Sequence, residues 1–241
     1  VPKYLDLGAI HPEHFENLPV LTDIQAPKLL LKAVGDIFSM QTMTCSAVES
    51  IYSEAMSVSY VQKSSYALSG EDTELAAKAE YEITVTDYRG EATVTTQVDT
   101  YENGAMTISV NGAPAVTKPG VTPQQMHQYL EDAVLSGVLA PKYLHNVWIE
   151  ESDTQYRLVM QGNESFAADL MVGISGFLDA DLDAQAESVE TTASDGYLTI
   201  DKETGLPMAM GLQLTRQHTV QSVPYKLTYQ LDQQISLLEK E

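Results

Sequence analysis

From Leu75 to Val85 the chain alternates with a period of two. Leu75, Ala77, Ala79, Tyr81, Ile83 and Val85 fall on one face, opposite Ala76, Lys78, Glu80, Glu82 and Thr84. That pattern predicts a strand with one buried and one wetted face. A similar alternation starts at Gln41, with Met43, Cys45 and Ala47 set against Thr44 and Ser46, and continues less regularly over residues 55–61. Turn signals follow at short intervals: Asp87-Tyr88-Arg89-Gly90, Glu102-Asn103-Gly104 and Asn111-Gly112. With strand-like residues 92–101 and 106–110 between them, they predict a meander of hairpins. Strand patterning returns at residues 156–161 and then at 186–192, 196–201, 207–215 and 225–235.

Three segments switch to the helical period. After Pro27, residues Leu30, Ala33, Val34, Ile37 and Phe38 recur at helical spacing and form one apolar stripe. Thr122-Pro123-Gln124-Gln125 combines an N-cap, a first-turn proline and a Gln that completes a capping box. The apolar face behind it is Met126, Tyr129, Leu130, Ala133 and Val134, and Gly137 is placed to end the helix. Residues 164–177 are apolar nearly all round, which predicts a helix buried against the sheet, with Gly173 and Gly176 allowing close contact. The first 24 residues carry Pro2, Pro12 and Pro19 without any period and read as an arm; residues 25–241 read as one domain.

Between two alternating segments lies Asp201-Lys202-Glu203-Thr204-Gly205-Leu206-Pro207. Asp and Thr side chains bond locally to backbone groups, Gly205 supplies a positive φ, and Pro207 enters the next strand where no ladder donor is needed. The stretch predicts a hairpin turn.

Helix, meander, internal helix and further strands is an order similar to that of the LolA/LppX-like group of bacterial lipoproteins and lipoprotein carriers. Thr100-Tyr101-Glu102-Asn103-Gly104, followed by residues 106–110, Asn111-Gly112 and Lys118, resembles paired strands of the Gram-positive surface lipoprotein branch. Ile200-Asp201 with Thr204-Gly205-Leu206-Pro207 resembles that group's late hairpin. Ala113-Pro114-Ala115-Val116 stands where such proteins often carry Trp or Tyr, a departure that bears on any aromatic cavity lining. The resemblance spans residues 25–238. It implies an α+β fold: a strongly curved antiparallel sheet forming a half-barrel, with about three helices on its concave face. Some members hold acyl chains between sheet and helices, and others are surface lipoproteins without a known ligand.

Composition narrows the partners. Thirteen Lys plus Arg against 34 Asp plus Glu give a formal charge of -21, a surface that repels nucleic acid and anionic lipid headgroups. With Cys45 as the single cysteine, an intramolecular disulfide and a cysteine-rich zinc site are excluded. No apolar run reaches the ~18 residues of a membrane-spanning helix. Val1 in place of Met predicts a removed upstream segment such as a signal peptide, and with it a lipid anchor as the one link to a membrane.

Several chemistry-bearing patterns fall short of a site. Asp179, Asp181, Asp183 and Glu190 match positions of a calcium loop, but Ala184 replaces its turn glycine, leaving at most weak calcium binding. His11-Pro12-Glu13-His14 has a proline where a helix would have to align both histidines. His127, His145 and His218 have no acid and nucleophile beside them in sequence, and Gly173-Ile174-Ser175-Gly176 lacks the spacing of a nucleophile elbow. The sequence therefore predicts neither a catalytic set nor a metal or cofactor centre. Nine methionines, flexible and polarisable, suit an apolar cavity or an ordinary core. The expectation is an extracytoplasmic, non-enzymatic protein that binds a lipid, acyl chain or other apolar molecule, with Met126, Tyr129, Leu130, Leu170, Met171 and Ile174 lining the site. The alternative is a ligandless surface or sensory module that meets another protein.

Overall fold

A computed structural model of the protein describes residues 4–6, 29, 32–33, 42–70, 74–126, 129 and 144–238, with side chains for all of these except 4–6, 144–146 and 237–238. Among the described residues a single 12-stranded antiparallel sheet dominates. One meander contains β2 (Thr42–Ser53), β3 (Val58–Ser69), β4 (Ala76–Thr86), β5 (Ala92–Glu102), β6 (Ala105–Val110) and β7 (Val116–Pro119). The other contains β8 (Leu144–Glu151), β9 (Gln155–Gly162), β10 (Ser188–Asp201), β11 (Pro207–Val220) and β12 (Val223–Leu238). Strand β12 pairs with β2 to join the two meanders, and β1 (Tyr4–Asp6) pairs with β8 at the far edge. The sheet is an open half-barrel with edges at β1 and β7, and helices lie on its concave face.

The turns follow the local chemistry that the sequence predicts. Asn103 and Gly104 both take positive φ, 53° and 73°, in the two-residue β5–β6 turn. At the late hairpin Asp201 Oδ1 accepts hydrogen bonds from the Thr204 amide at 2.8 Å and its hydroxyl at 2.9 Å. These bonds hold the Asp201 carboxyl below its usual range. Gly205, at φ +73°, donates its amide to the Asp201 carbonyl at 2.8 Å. Pro207 then enters β11 at a bulge in the β10–β11 register.

The helix over residues 164–177 is observed as α1 (Glu164–Leu178). Asn163 caps it by accepting from the Phe166 amide at 3.0 Å, and Asp179 ends it in the left-handed region at φ 50°. Phe166 seats against Gly162 at the end of β9, where a Cβ would come within 2.3 Å of the ring. Near the other end the Phe177 ring stacks on Tyr60 of β3 at 4.8 Å. Fifteen residues make a rod about 22 Å long. That length suits a strap across the curved trough from β10 to β3, four strand spacings of ~4.8 Å apart.

Four expectations are corrected. The helix is buried along one stripe, Phe166, Ala167, Met171, Ile174 and Leu178, while Val172 is 74% exposed. Its glycines do not mediate close contact: a Cβ on Gly173 or Gly176 would meet nothing within 4 Å. Residues 54–57 form a turn rather than a strand, and segments 186–192 and 196–201 merge from Ser188 onward into one strand, β10, broken by a bulge between Thr191 and Ala193, while Ala186 ends the short helix before it. Strands β1, β7 and β8 carry no pattern that the sequence reading identified. Of the first helix, Leu29, Lys32 and Ala33 are helical and Ala33 is buried; its other residues lie outside the described ones, as does most of residues 1–24.

Candidate ligand face

Alternation along each strand divides side chains between a concave face under the helices and an outer face. The concave face has two unlike halves. Over β8 to β11 it is aliphatic: Val147, Leu158, Leu198, Met210 and Leu214 are fully buried. The register sets Leu158 opposite Leu198 and Leu198 opposite Met210, so they form one row across three strands. Strap α1 packs on β9 and β10 here.

Over β12 and β2 to β5 the same face carries tyrosines and carboxyls. Tyr129 donates to Asp99 Oδ2 at 2.6 Å, so its oxygen must accept the 2.6 Å bond from the Tyr81 hydroxyl. Gln97 Nε2 donates to both Asp99 oxygens, at 2.9 and 3.0 Å. The buried Asp99 is thereby fully partnered. Tyr66 meets the Tyr81 ring edge-on at 5.8 Å, and Tyr60 donates to Gln62 Oε1 at 2.8 Å. Burial, ahead of neighbouring charge, pushes the Tyr60, Tyr66, Tyr81, Tyr129 and Tyr229 hydroxyls up from their ordinary range. Burial also pushes the Cys45 thiol up to about 12, which keeps it protonated.

Where the polar half meets the aliphatic one, β2 and β12 place Glu49 and Gln233. Glu49 lies opposite Leu231 on one side and Gln62 on the other, and Gln233 lies opposite Ala47, one step along the same face. Burial raises the Glu49 pKa, offset in part by the hydroxyl of its hydrogen-bonding neighbour Tyr229. Gln233 is 1% exposed and its Oε1 has no hydrogen-bond partner. An orphaned buried acceptor costs about 1–3 kcal/mol, so it marks a place where a donor is missing.

The residues expected to line a cavity fall into two groups. Met126 is buried and Tyr129 belongs to the Asp99 cluster, both on helical residues over β4 and β5. The capping box that starts this helix is present: Gln125 donates its amide to Thr122 Oγ1 at 3.2 Å and accepts from the Thr122 amide at 2.9 Å. Met171 and Ile174 are buried on α1, and Leu170 is half-buried against the core. Leu130 lies outside the described residues. Tyr129 is held as a hydrogen-bonding group, whereas it was expected as an apolar one. Glu49 and Gln233 were not anticipated.

At one rim the acidic loop does something other than the calcium pattern suggests. Asp181 caps the short helix α2 (Leu182–Gln185), accepting from the Ala184 amide at 3.0 Å. Asp183 meets His218 Nε2 at 2.7 Å and Arg216 Nη2 at 2.9 Å, both on β11. Arg216 Nη1 donates to Thr191 Oγ1 at 3.2 Å. His218 thus has an acid beside it in space though not in sequence, and among the described residues no Ser, Thr or Cys hydrogen-bonds it. The arrangement ties α2 to the sheet. Two described grooves, of about 560 and 450 Å³, open on the outer face and share Gln234. Arg157 stacks over Tyr197 at 4.4 Å beside the larger one.

Fold and concave face together define an α+β protein built on an open antiparallel half-barrel. No family model matches the chain, and no curated protein matches it. Among solved structures, a beta-barrel-like protein of domain of unknown function DUF1849 from Brucella abortus aligns at 9% identity and a TM-score of 0.28, covering 83% of this chain and 99% of that one. A DUF1329 family protein from Desulfovibrio piger aligns at 11% identity and 0.25, covering 87% and 89%. Neither likeness, at such scores, bears on function.

Proposed function

We propose that the protein is a non-enzymatic binding protein that holds a lipid, an acyl chain or a similar molecule between the concave sheet face and its helices. One observation carries the reading: an aliphatic floor continues along a single face into a buried acceptor patch whose Gln233 Oε1 lacks a donor. A self-filled core has no use for that vacancy, and a site needs both an apolar wall and a few convergent polar groups. The LolA/LppX resemblance supports the same reading and adds export to a bacterial cell surface or periplasm, with membrane attachment only through an upstream lipid anchor. Native mass spectrometry of protein purified from cells, followed by solvent extraction, tests it. A stoichiometric adduct is expected, and a bare mass that stays unchanged after incubation with mixed lipids overturns it.

A second reading has its own support. Val172 of α1 is 74% exposed, an apolar residue on the outer side of a strap otherwise surrounded by an anionic surface. A ligandless surface or sensory module would use that side to meet a protein partner. Crosslinking from position 172 in intact cells distinguishes the two.

A further inference from the structure

Among the described residues, the concave-face patch shared by β12, β2 and β3 is rich in acceptors and lacks any cation. Glu49 brings a carboxyl whose neighbouring donor is the Tyr229 hydroxyl. Gln62 Oε1 is already engaged by Tyr60, and Gln233 Oε1 has no partner at all. The described side chains that point the same way on these strands, Ala47, Ile51, Tyr60, Tyr66, Tyr229 and Leu231 among them, include neither Lys nor Arg. The contrast with buried Asp99 and half-buried Asp183 is direct. Asp99 has Gln97 and Tyr129, and Asp183 has Arg216 and His218. A buried carboxylate is retained where it is paired and hydrogen-bonded, and among the described residues the donor beside Glu49 is the Tyr229 hydroxyl, against three hydrogen bonds to Asp99 and two basic side chains on Asp183.

We propose that this patch receives the cationic head of an amphiphile, an alkylammonium group placed between Glu49 and Gln233, with its chain running over the aliphatic half of the face. The proposal rests on the binding reading above and names its ligand class. An ammonium brings N–H donors for both vacant acceptors and a charge for Glu49. The Tyr60, Tyr66 and Tyr229 rings on the same face suit it as well, because aromatic faces attract cations at sites removed from water. The net charge of -21 steers such a ligand toward the protein without selecting the site.

The test is calorimetric titration of the full chain with dodecylamine, 1-dodecanol and dodecanoate, each below its micelle concentration, at moderate salt. Dodecylamine is expected to bind saturably at one site and at least tenfold more tightly than the other two. Glu49→Gln should abolish that preference, whereas Glu82→Gln, a charge-neutralising change on the exposed face of β4, should leave it intact. A measurement without any variant stands beside it: the Glu49 carboxyl, followed by ¹³C NMR, should titrate at lower pH once dodecylamine is bound. Equal binding of the three probes, or a preference that survives in Glu49→Gln, overturns the cationic head and leaves the carrier standing. Binding of none of them overturns both, and multiple unsaturable amine sites that Glu49→Gln leaves unchanged identify nonspecific attraction and overturn the assigned site.

Discussion

The two halves of the concave face are built from the same antiparallel ladder, yet they hold together by different physics. Over β8 to β11 the row Leu158, Leu198, Met210 is dry and tightly packed, and its stability comes from area removed from water. Over β4 and β5 the Asp99, Tyr129, Tyr81 chain runs from a buried carboxyl to two half-buried tyrosines, and each polar atom in it is there because another satisfies it. Geometry alone does not choose between these solutions. The difference teaches that a curved sheet can offer an apolar wall and a polar end in one continuous surface, which is what an amphiphile requires and a uniform core does not.

The largest effect should come from the dry half. Leu198→Ala, fully buried between Leu158 and Met210, is expected to cost about 3 kcal/mol in urea unfolding. The rim tie should follow closely. Asp183→Ala leaves Arg216 with the longer 3.8 Å contact to exposed Glu164 and is expected to cost roughly 2–3 kcal/mol, less than for a fully buried pair because Asp183 is 29% exposed. Gly205→Val forces a β-branched residue into the left-handed region and should cost about 1–2 kcal/mol, seen as a lower melting midpoint. In the polar half, Tyr81→Phe removes one donated hydrogen bond and should cost about 1 kcal/mol. Should Tyr81→Phe prove costlier than Leu198→Ala, the division into dry and polar halves is wrong.

The smallest effect is a slope. Glu49 has a pKa raised above its ordinary 4.5 by burial, so the folded protein holds this proton more tightly than the unfolded chain. Its contribution to stability is therefore fully present below about 4.5 and is lost as pH rises through the folded value. Compared across pH 4 to 7 by urea unfolding, Glu49→Gln should lack that loss and become relatively more stable toward neutrality. A parallel pair of profiles would remove Glu49 from the buried patch.

Much of the architecture is legible in the sequence because it is local. The alternation from Ala77 to Ile83 needs no partner to be recognised, and Asn103-Gly104 or Thr204-Gly205 announces its turn by the φ it must adopt. Strand β8 is hidden because Val147-Trp148-Ile149 is a continuous apolar run, which fits strand or helix equally. Strand β7 is short, fully exposed and ends in Pro119, so nothing in it alternates. The site is less legible still. Glu49 follows Ala47 and Val48 in a strand and reads as one more solvated acid. Only pairing with β12 places Leu231 and Gln233 beside it. His218 and Asp183 are separated by a hairpin and a bulged strand, and no local pattern links them.

The β2–β12 seam also bears on how the chain is made. Residues 42–53 emerge well before residues 227–238, so at ~5–20 residues per second a nascent chain waits about 10–40 s with the β2 edge unpaired. Its hydrogen-bonding groups and the apolar row Met43, Cys45, Ala47 and Ile51 are exposed in that interval, an invitation to pair with a neighbouring polypeptide. A ribosome-bound or truncated product ending before Val223 should therefore depend on a holding chaperone, while a chain that includes β12 closes the vulnerable edge with that strand.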